Sequence, residues 1–201
     1  MANKKIIITA ILLVLALVAV GWIWGRQAPG GDDNGQAAKT AGIVLGSANA
    51  PVIIEEYTNF LCPACGLFAR ETLPQIEENY IKTGKARFVF YVFPPMELGQ
   101  AAFCSEKQGK FLEYHNYLFA HQEEIKGEDQ ILEFAKNIGM DSEKFNQCRA
   151  GDEAKSAALG WFSDGQRRQV TATPTFFING EKLVGAQPYS EFQKLIDSKI
   201  K

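Results

Sequence analysis

A β-branched, apolar-led run, Val52 to Thr58 (VIIEEYT), leads through Asn59-Phe60-Leu61 into Cys62-Pro63-Ala64-Cys65. No other feature constrains the chain as much. The run, introduced by Ala50-Pro51, reads as a strand. Pro63 suits the first position of a helix, where its missing N–H costs nothing. Strand therefore passes to helix with Cys62 at the helix N-terminus. The pattern predicts a helix reaching about Ile81 with a kink near Pro74, ended by Thr83-Gly84, and a second strand over Ala86 to Val92. The result is a βαβ unit with a cysteine pair at its first junction.

Cysteines at i and i+3 share one helical turn, so their sulfurs can meet. The unpaired N–H groups and dipole of a helix N-terminus favour a thiolate on the first of them. Thiolate is the species that attacks a disulfide, and a low-pKa thiol is also the better leaving group. Cys62 is thus expected to be the exposed, attacking sulfur and Cys65 the resolving one. Half a zinc site has the same spacing, but the sequence contains no second CxxC and no paired-histidine element. His115 and His121, the only histidines, stand alone on helical segments. No metal and no cofactor is expected. A purely structural disulfide is the other reading; the strand-CxxC-helix context argues for redox work.

Beyond the second strand, residues 97–168 turn helical. Phe111, Tyr114 and Leu118, then Ile131, Phe134 and Ile138, recur at helical spacing, with breaks at Gly127, at Gly139 to Asp141 and near Gly151. The aromatics Phe111, Tyr114, Tyr117, Phe119, Trp161 and Phe162 read as core packing rather than a ligand pocket. Thr175 to Ile178 and Lys182 to Val184 read as short strands around Asn179-Gly180, a hairpin dipeptide. An amphipathic helix over Tyr189 to Ile200 closes the chain. The class is α/β, in the order βαβ, helical insert, ββα, and a leftover pair, Cys104 and Cys148, falls on separate predicted helices.

Ile6 to Trp24 is uncharged and would rise about 28 Å as a helix, close to the roughly 30 Å hydrocarbon core of a bilayer. Residues 6–24 are read as a transmembrane signal anchor in contact with lipid. Lys4 and Lys5 precede it, so residues 1–5 are placed in the cytoplasm and everything after Arg26 outside. A cleaved signal peptide is the alternative, but the run is long for one and ends in Trp22 and Trp24, which suit a membrane interface. Residues 25–41, rich in Gly, Asp, Asn and Gln, read as a flexible linker. Residues 42–201 then form one domain. With 21 basic against 23 acidic side chains and a net charge of -2, nothing favours nucleic acid as a partner.

Over nearly all of residues 42–201 the sequence resembles the thioredoxin fold, specifically DsbA-like proteins of the type anchored to bacterial membranes. The resemblance rests on EEYTNFLCPACGLF, the helical insert with KQGKFLEYHNYLF, and VTATPTFFING. It implies Cys62 as nucleophile, Cys65 as its buried partner, and Thr173-Pro174 as a cis-proline loop offering the Thr173 backbone to an extended substrate. Glu56 matches the buried acid of such folds and would relay a proton to Cys65. By the two-residue period of a strand, Glu56 is expected buried and Glu55 exposed. Related anchored proteins also carry a structural disulfide like Cys104–Cys148, the simplest state for such a pair in an oxidising compartment; two buried free thiols are the alternative. Ala64 departs from the best-known members, which place a thiolate-stabilising histidine between the cysteines.

The expected activity is that of a thiol-disulfide oxidoreductase, an oxidase donating the Cys62–Cys65 disulfide to unfolded or reduced exported proteins. A membrane partner, DsbB-like or similar, would reoxidise it. An extracytoplasmic reductase or isomerase using the same residues, and a non-enzymatic peptide-binding module on the same scaffold, remain open alternatives.

Overall fold

The computed structural model describes residues 41–200, so the segment read as an anchor, 6–24, and nearly all of the linker lie outside the described residues. Among the described residues no helix is long and apolar enough to cross a membrane.

Five strands form one sheet in the order β1-β3-β2-β4-β5. The apolar runs become strands where they were expected: β2 at Val52–Thr58, β3 at Ala86–Val92 and β4 at Thr175–Ile178, with β5 at Glu181–Val184 starting one residue earlier than read. β2 and β3 pair in parallel with Glu56 opposite Phe90, while β2 pairs antiparallel with β4, placing Glu56 opposite Phe176. β1, Ile43–Leu45, is an antiparallel edge strand on β3 that the sequence reading did not anticipate. Three residues carry too little periodicity to announce a strand.

Asn179 and Gly180 turn β4 into β5 with φ of 45° and 87°, as the hairpin dipeptide requires. Asn179 also ties this hairpin to the sheet centre, accepting from the Ile53 N–H through Oδ1 at 2.8 Å.

Helix α1, Pro63–Glu71, follows β2. Helical structure reaches Ile81, as expected, with a break at Thr72, two residues before Pro74. A short turn α2, Leu73–Ile76, and a π-helical turn, Glu77–Ile81, take over. Pro74 has no N–H to give the carbonyl four residues back, and its ring crowds that carbonyl, which accounts for the break; the wider five-residue bonding begins only at Glu77, whose carbonyl accepts from the Lys82 N–H at 2.9 Å. The insert runs from Met96 to Arg167 as α3 (Met96–Lys107), α4 (Phe111–Ala120), α5 (Glu128–Asn137), α6 (Ser142–Ala150) and α7 (Asp152–Arg167). A break the sequence reading missed separates α3 from α4 at Gly109, whose φ of 67° is cheap only for glycine. Helix α8, Tyr189–Lys199, closes the chain.

The core lies on both faces of the sheet. Phe68 of α1 meets Phe176 at 4.5 Å and Phe192 of α8 at 5.3 Å between ring centroids. In the insert Phe111, Tyr114, Phe119 and Trp161 are buried and Tyr117 packs against them, so these five are core, as their spacing indicated, whereas Phe162 is only half-buried, its ring 5.7 Å from that of Phe93. Glu55, expected in solvent, is only 9% exposed. It accepts from Arg168 at 2.9 Å and from the Tyr91 hydroxyl at 3.3 Å. β2 is a central strand with both faces covered, so alternation along it does not separate core from solvent.

Candidate active site

Cys62 is the N-cap of α1, with extended φ and ψ of -88° and 117°, and Pro63 opens the helix behind it. Its N–H donates to the Asn59 carbonyl at 3.0 Å and its carbonyl accepts from Gly66 at 3.1 Å, so the cysteine is held between a turn and a helix. Its sulfur is half-buried and donates to the Thr173 carbonyl at 3.2 Å. One helical turn on, Cys65 is fully buried. Both are free thiols, so this is the reduced site.

The two thiols live in opposite electrostatic surroundings. Burial works against charge on Cys62, but hydrogen bonds from the Thr173 side chain, the Cys65 backbone and thiol, and the Ala64 N–H outweigh it. The Cys62 thiol therefore titrates below its ordinary value. Burial pushes the Cys65 thiol up to about 12, with the nearby Glu56 charge adding to the effect. Glu56 itself is 1% exposed, and its Oε2 finds no hydrogen-bond partner among the described residues. Burial, helped by the Cys62 charge, raises its carboxyl to about 8. At neutral pH Glu56 therefore holds a proton beside a buried sulfur that needs one whenever it leaves as thiolate.

Thr173-Pro174 is cis and lies against the Cys62 sulfur. The loop is pinned by the Thr175 hydroxyl, which donates to the Ala172 carbonyl at 2.7 Å, and by Gly185, which donates to the Pro174 carbonyl at 2.8 Å. Cys104 of α3 and Cys148 of α6 are bonded to each other, remote in sequence from the thiol pair. No group of three or more His, Cys, Asp or Glu among the described residues is placed to hold a metal.

Three residues around the site escaped the sequence reading. Asn59 accepts from the Leu61 N–H through Oδ1 and donates through Nδ2 to the Pro94 carbonyl, both at 2.7 Å, locking the active-site turn to the loop after β3. The first of these bonds was discoverable, since asparagine two residues before a turn N–H is an Asx-turn signal. Gln122 donates to the Phe60 carbonyl at 2.7 Å, and His115, fully buried, sets its ring 5.7 Å from that of Phe60. Through these two the insert grips the turn that carries Cys62.

The fold and this pair define a class: a thioredoxin-fold thiol protein whose sheet is interrupted between β3 and β4 by a helical insert. The family model described as Thioredoxin matches residues 38–198, and the chain belongs to that family. The solved structure of alpha-DsbA1 from Wolbachia pipientis superposes with a TM-score of 0.71 at 26% identity, covering 79% of this chain and 90% of that one. Disulfide bond formation protein D of Bacillus subtilis is 26% identical over 84% of this chain and 81% of its own length. A stretch of Na(+)/H(+) antiporter NhaA 3 of Salinispora tropica is 30% identical over 73% of this chain, which spans only 22% of that antiporter. The likeness to DsbA-like proteins read from the sequence is borne out.

Proposed function

We propose that the chain is a dithiol oxidase that gives disulfides to exported proteins through Cys62 and Cys65. The observation that carries this reading is the split between the two thiols, one held below its ordinary pKa at a helix N-terminus and the other raised in the core. In the oxidised enzyme a substrate thiolate attacks the Cys62 sulfur. A new S–S bond forms to Cys62, and the old one breaks with its electron pair leaving on Cys65. Glu56 gives Cys65 the proton it then needs. A second substrate thiolate attacks the substrate sulfur of the mixed disulfide, closing the substrate's disulfide and releasing Cys62 as its stabilised thiolate. Two electrons pass from substrate to enzyme, and a membrane partner of DsbB-like chemistry removes them. The Thr173 backbone holds the extended substrate alongside.

A stabilised Cys62 thiolate favours the reduced state and so makes the disulfide oxidising. With Ala64 between the cysteines, the potential is expected above thioredoxin's value of about -270 mV and below DsbA's of about -120 mV. Equilibration with glutathione measures it, and a value at thioredoxin's level overturns the oxidase reading. Cys62→Ser is expected to abolish oxidation of a reduced, disulfide-requiring substrate; activity surviving that change supports the peptide-binding alternative instead.

The domain is assigned to the extracytoplasmic side of a cell membrane, with residues 6–24 as a single anchor, 1–5 cytoplasmic and 25–41 a linker. The support is the uncharged run of Ile6 to Trp24 behind Lys4 and Lys5. Full-length chain is then expected to stay with membranes through alkaline carbonate and to be cut by protease added from outside. Release by carbonate removes the anchor.

A further inference from the structure

Thr58 is the last residue of β2, past the end of the pairing with β4 at Tyr57 and just ahead of the turn that carries Cys62. Its side chain is fully buried, and its hydroxyl oxygen has no hydrogen-bond partner among the described residues. The other buried serine and threonine hydroxyls described each have one. Thr72 donates to the Gln187 carbonyl at 3.4 Å, Ser105 to the Ala102 carbonyl at 2.7 Å and Thr175 to the Ala172 carbonyl at 2.7 Å. A buried hydroxyl left unpaired costs stability. Valine has the same shape, suits a strand as well and would leave nothing unpaired, so packing gives no reason for a threonine here.

The surroundings of the hydroxyl give one. Glu56 and Thr58 stand two apart on a strand and so share a face of the sheet. Helix α1, which carries Cys65, packs on that face, its Phe68 meeting Phe176, the residue opposite Glu56. Burial is the stronger influence on both the Glu56 carboxyl and the Cys65 thiol and raises them; the Thr58 hydroxyl works against it on each. It is thus within reach of both groups, yet in bonding geometry with neither in the reduced site. We infer that the Thr58 hydroxyl is the link over which a proton passes from Glu56 to Cys65. The inference rests on the exchange chemistry proposed above and names the path of the proton it requires. As the Cys62–Cys65 bond breaks and its electron pair leaves on Cys65, the hydroxyl gives its proton to that sulfur and takes the Glu56 proton in turn. A thiol forms on Cys65, the hydroxyl is restored and Glu56 is left as the carboxylate. Reoxidation runs the same path backwards. A hydroxyl both donates and accepts, and one without a fixed partner is free to turn from one group to the other.

The test follows single turnovers of the full chain in both directions, oxidised protein with a reduced two-cysteine peptide and reduced protein with the oxidised peptide. Thr58→Val is expected to slow both directions by about tenfold, and Thr58→Ala, the second hydroxyl-free variant, to match it. Thr58→Ser, which keeps the hydroxyl, is expected to stay within about threefold of the native rates. The equilibrium constant with glutathione is expected to change by less than about twofold in all three, because a path for the proton alters how fast equilibrium is reached and not where it lies. Native rates in Thr58→Val overturn the inference, since a water then carries the proton without Thr58. A serine variant as slow as the valine one, or slowing in one direction with a matching shift in the equilibrium, also overturns it, since the side chain then acts through packing or charge. If the native oxidised protein is not reduced by the peptide at all, the exchange chemistry falls and the proton path with it.

Discussion

Among the buried titratable side chains, Glu56 at 1% exposure and His115 at 0% bias stability in opposite directions with pH. Glu56 has its folded pKa raised from 4.5 to about 8, so the stability it permits is intact below 4.5 and is lost as pH climbs toward 8. His115, in a ring of phenylalanines, is lowered by burial from 6.5 to about 4, so its share is lost as pH falls from 6.5 to 4. The slopes cancel between 4.5 and 6.5, leaving Glu56 alone above that window. Glu56→Gln is therefore expected to stabilise the reduced protein at pH 8 by roughly 3 kcal/mol and to leave it little changed at pH 4. Urea unfolding at the two pH values checks this; an equal shift at both would mean Glu56 is not buried as an acid. Asn59 acts on the thiols through backbone. Asn59→Ala removes two hydrogen bonds, one of them to a half-buried carbonyl, at about 1–3 kcal/mol, and frees the turn that aims Cys62. The Cys62 thiol pKa, read from thiolate absorbance, is expected to rise. Asn59→Ser, whose hydroxyl can still accept from the Leu61 N–H without adding charge, is expected to restore part of that shift, as a loss of stability alone would not.

At the scale of elements, the N-terminus of α1 and the insert answer to different demands. The helix end stabilises charge on Cys62, whereas the insert fixes where that end points, through Gln122 on the Phe60 carbonyl and His115 against the Phe60 ring. The Cys104–Cys148 disulfide braces the insert by joining α3 to α6 across 44 residues. Closing a loop of that size stabilises a fold by roughly 4 kcal/mol on chain-entropy reasoning. Replacing both cysteines with alanine is expected to lower unfolding free energy by about 2–4 kcal/mol. The Cys62/Cys65 potential should move by less than about 15 mV, half of the 30 mV that corresponds to 1.4 kcal/mol. Denaturant unfolding and glutathione equilibration separate the two effects. A potential that follows stability would mean that the brace also sets the geometry of the thiol pair.

For the whole molecule, what could be read in advance was what short-range pattern encodes. The bounds of β2 and β3 follow from apolar, β-branched runs, and the position of Cys62 at a helix end follows from Pro63 behind it. Glu55 was misplaced because alternation says which residues share a face and not whether that face is covered; only the pairing of β2 with β3 and β4 decides that. Asn59 to Pro94 spans 35 residues and Gln122 to Phe60 spans 62, so no local pattern announces either contact. The same separation of local from global governs how oxidation state bears on stability. In the reduced protein the donors around Cys62, from Thr173, Ala64 and Cys65, are aimed at a charge that exists only while the pair is open. Closing the disulfide removes the charge and leaves those donors without it. Since folding and redox form one thermodynamic cycle, whatever stabilises the reduced site and makes the disulfide oxidising must also make the reduced fold the more stable one. Protein whose Cys62–Cys65 pair alone has been reduced by glutathione, with Cys104–Cys148 intact, is thus expected to melt about 3–6 °C above the fully oxidised protein at pH 7. A higher melting temperature for the oxidised form would instead place the couple on the reductant side.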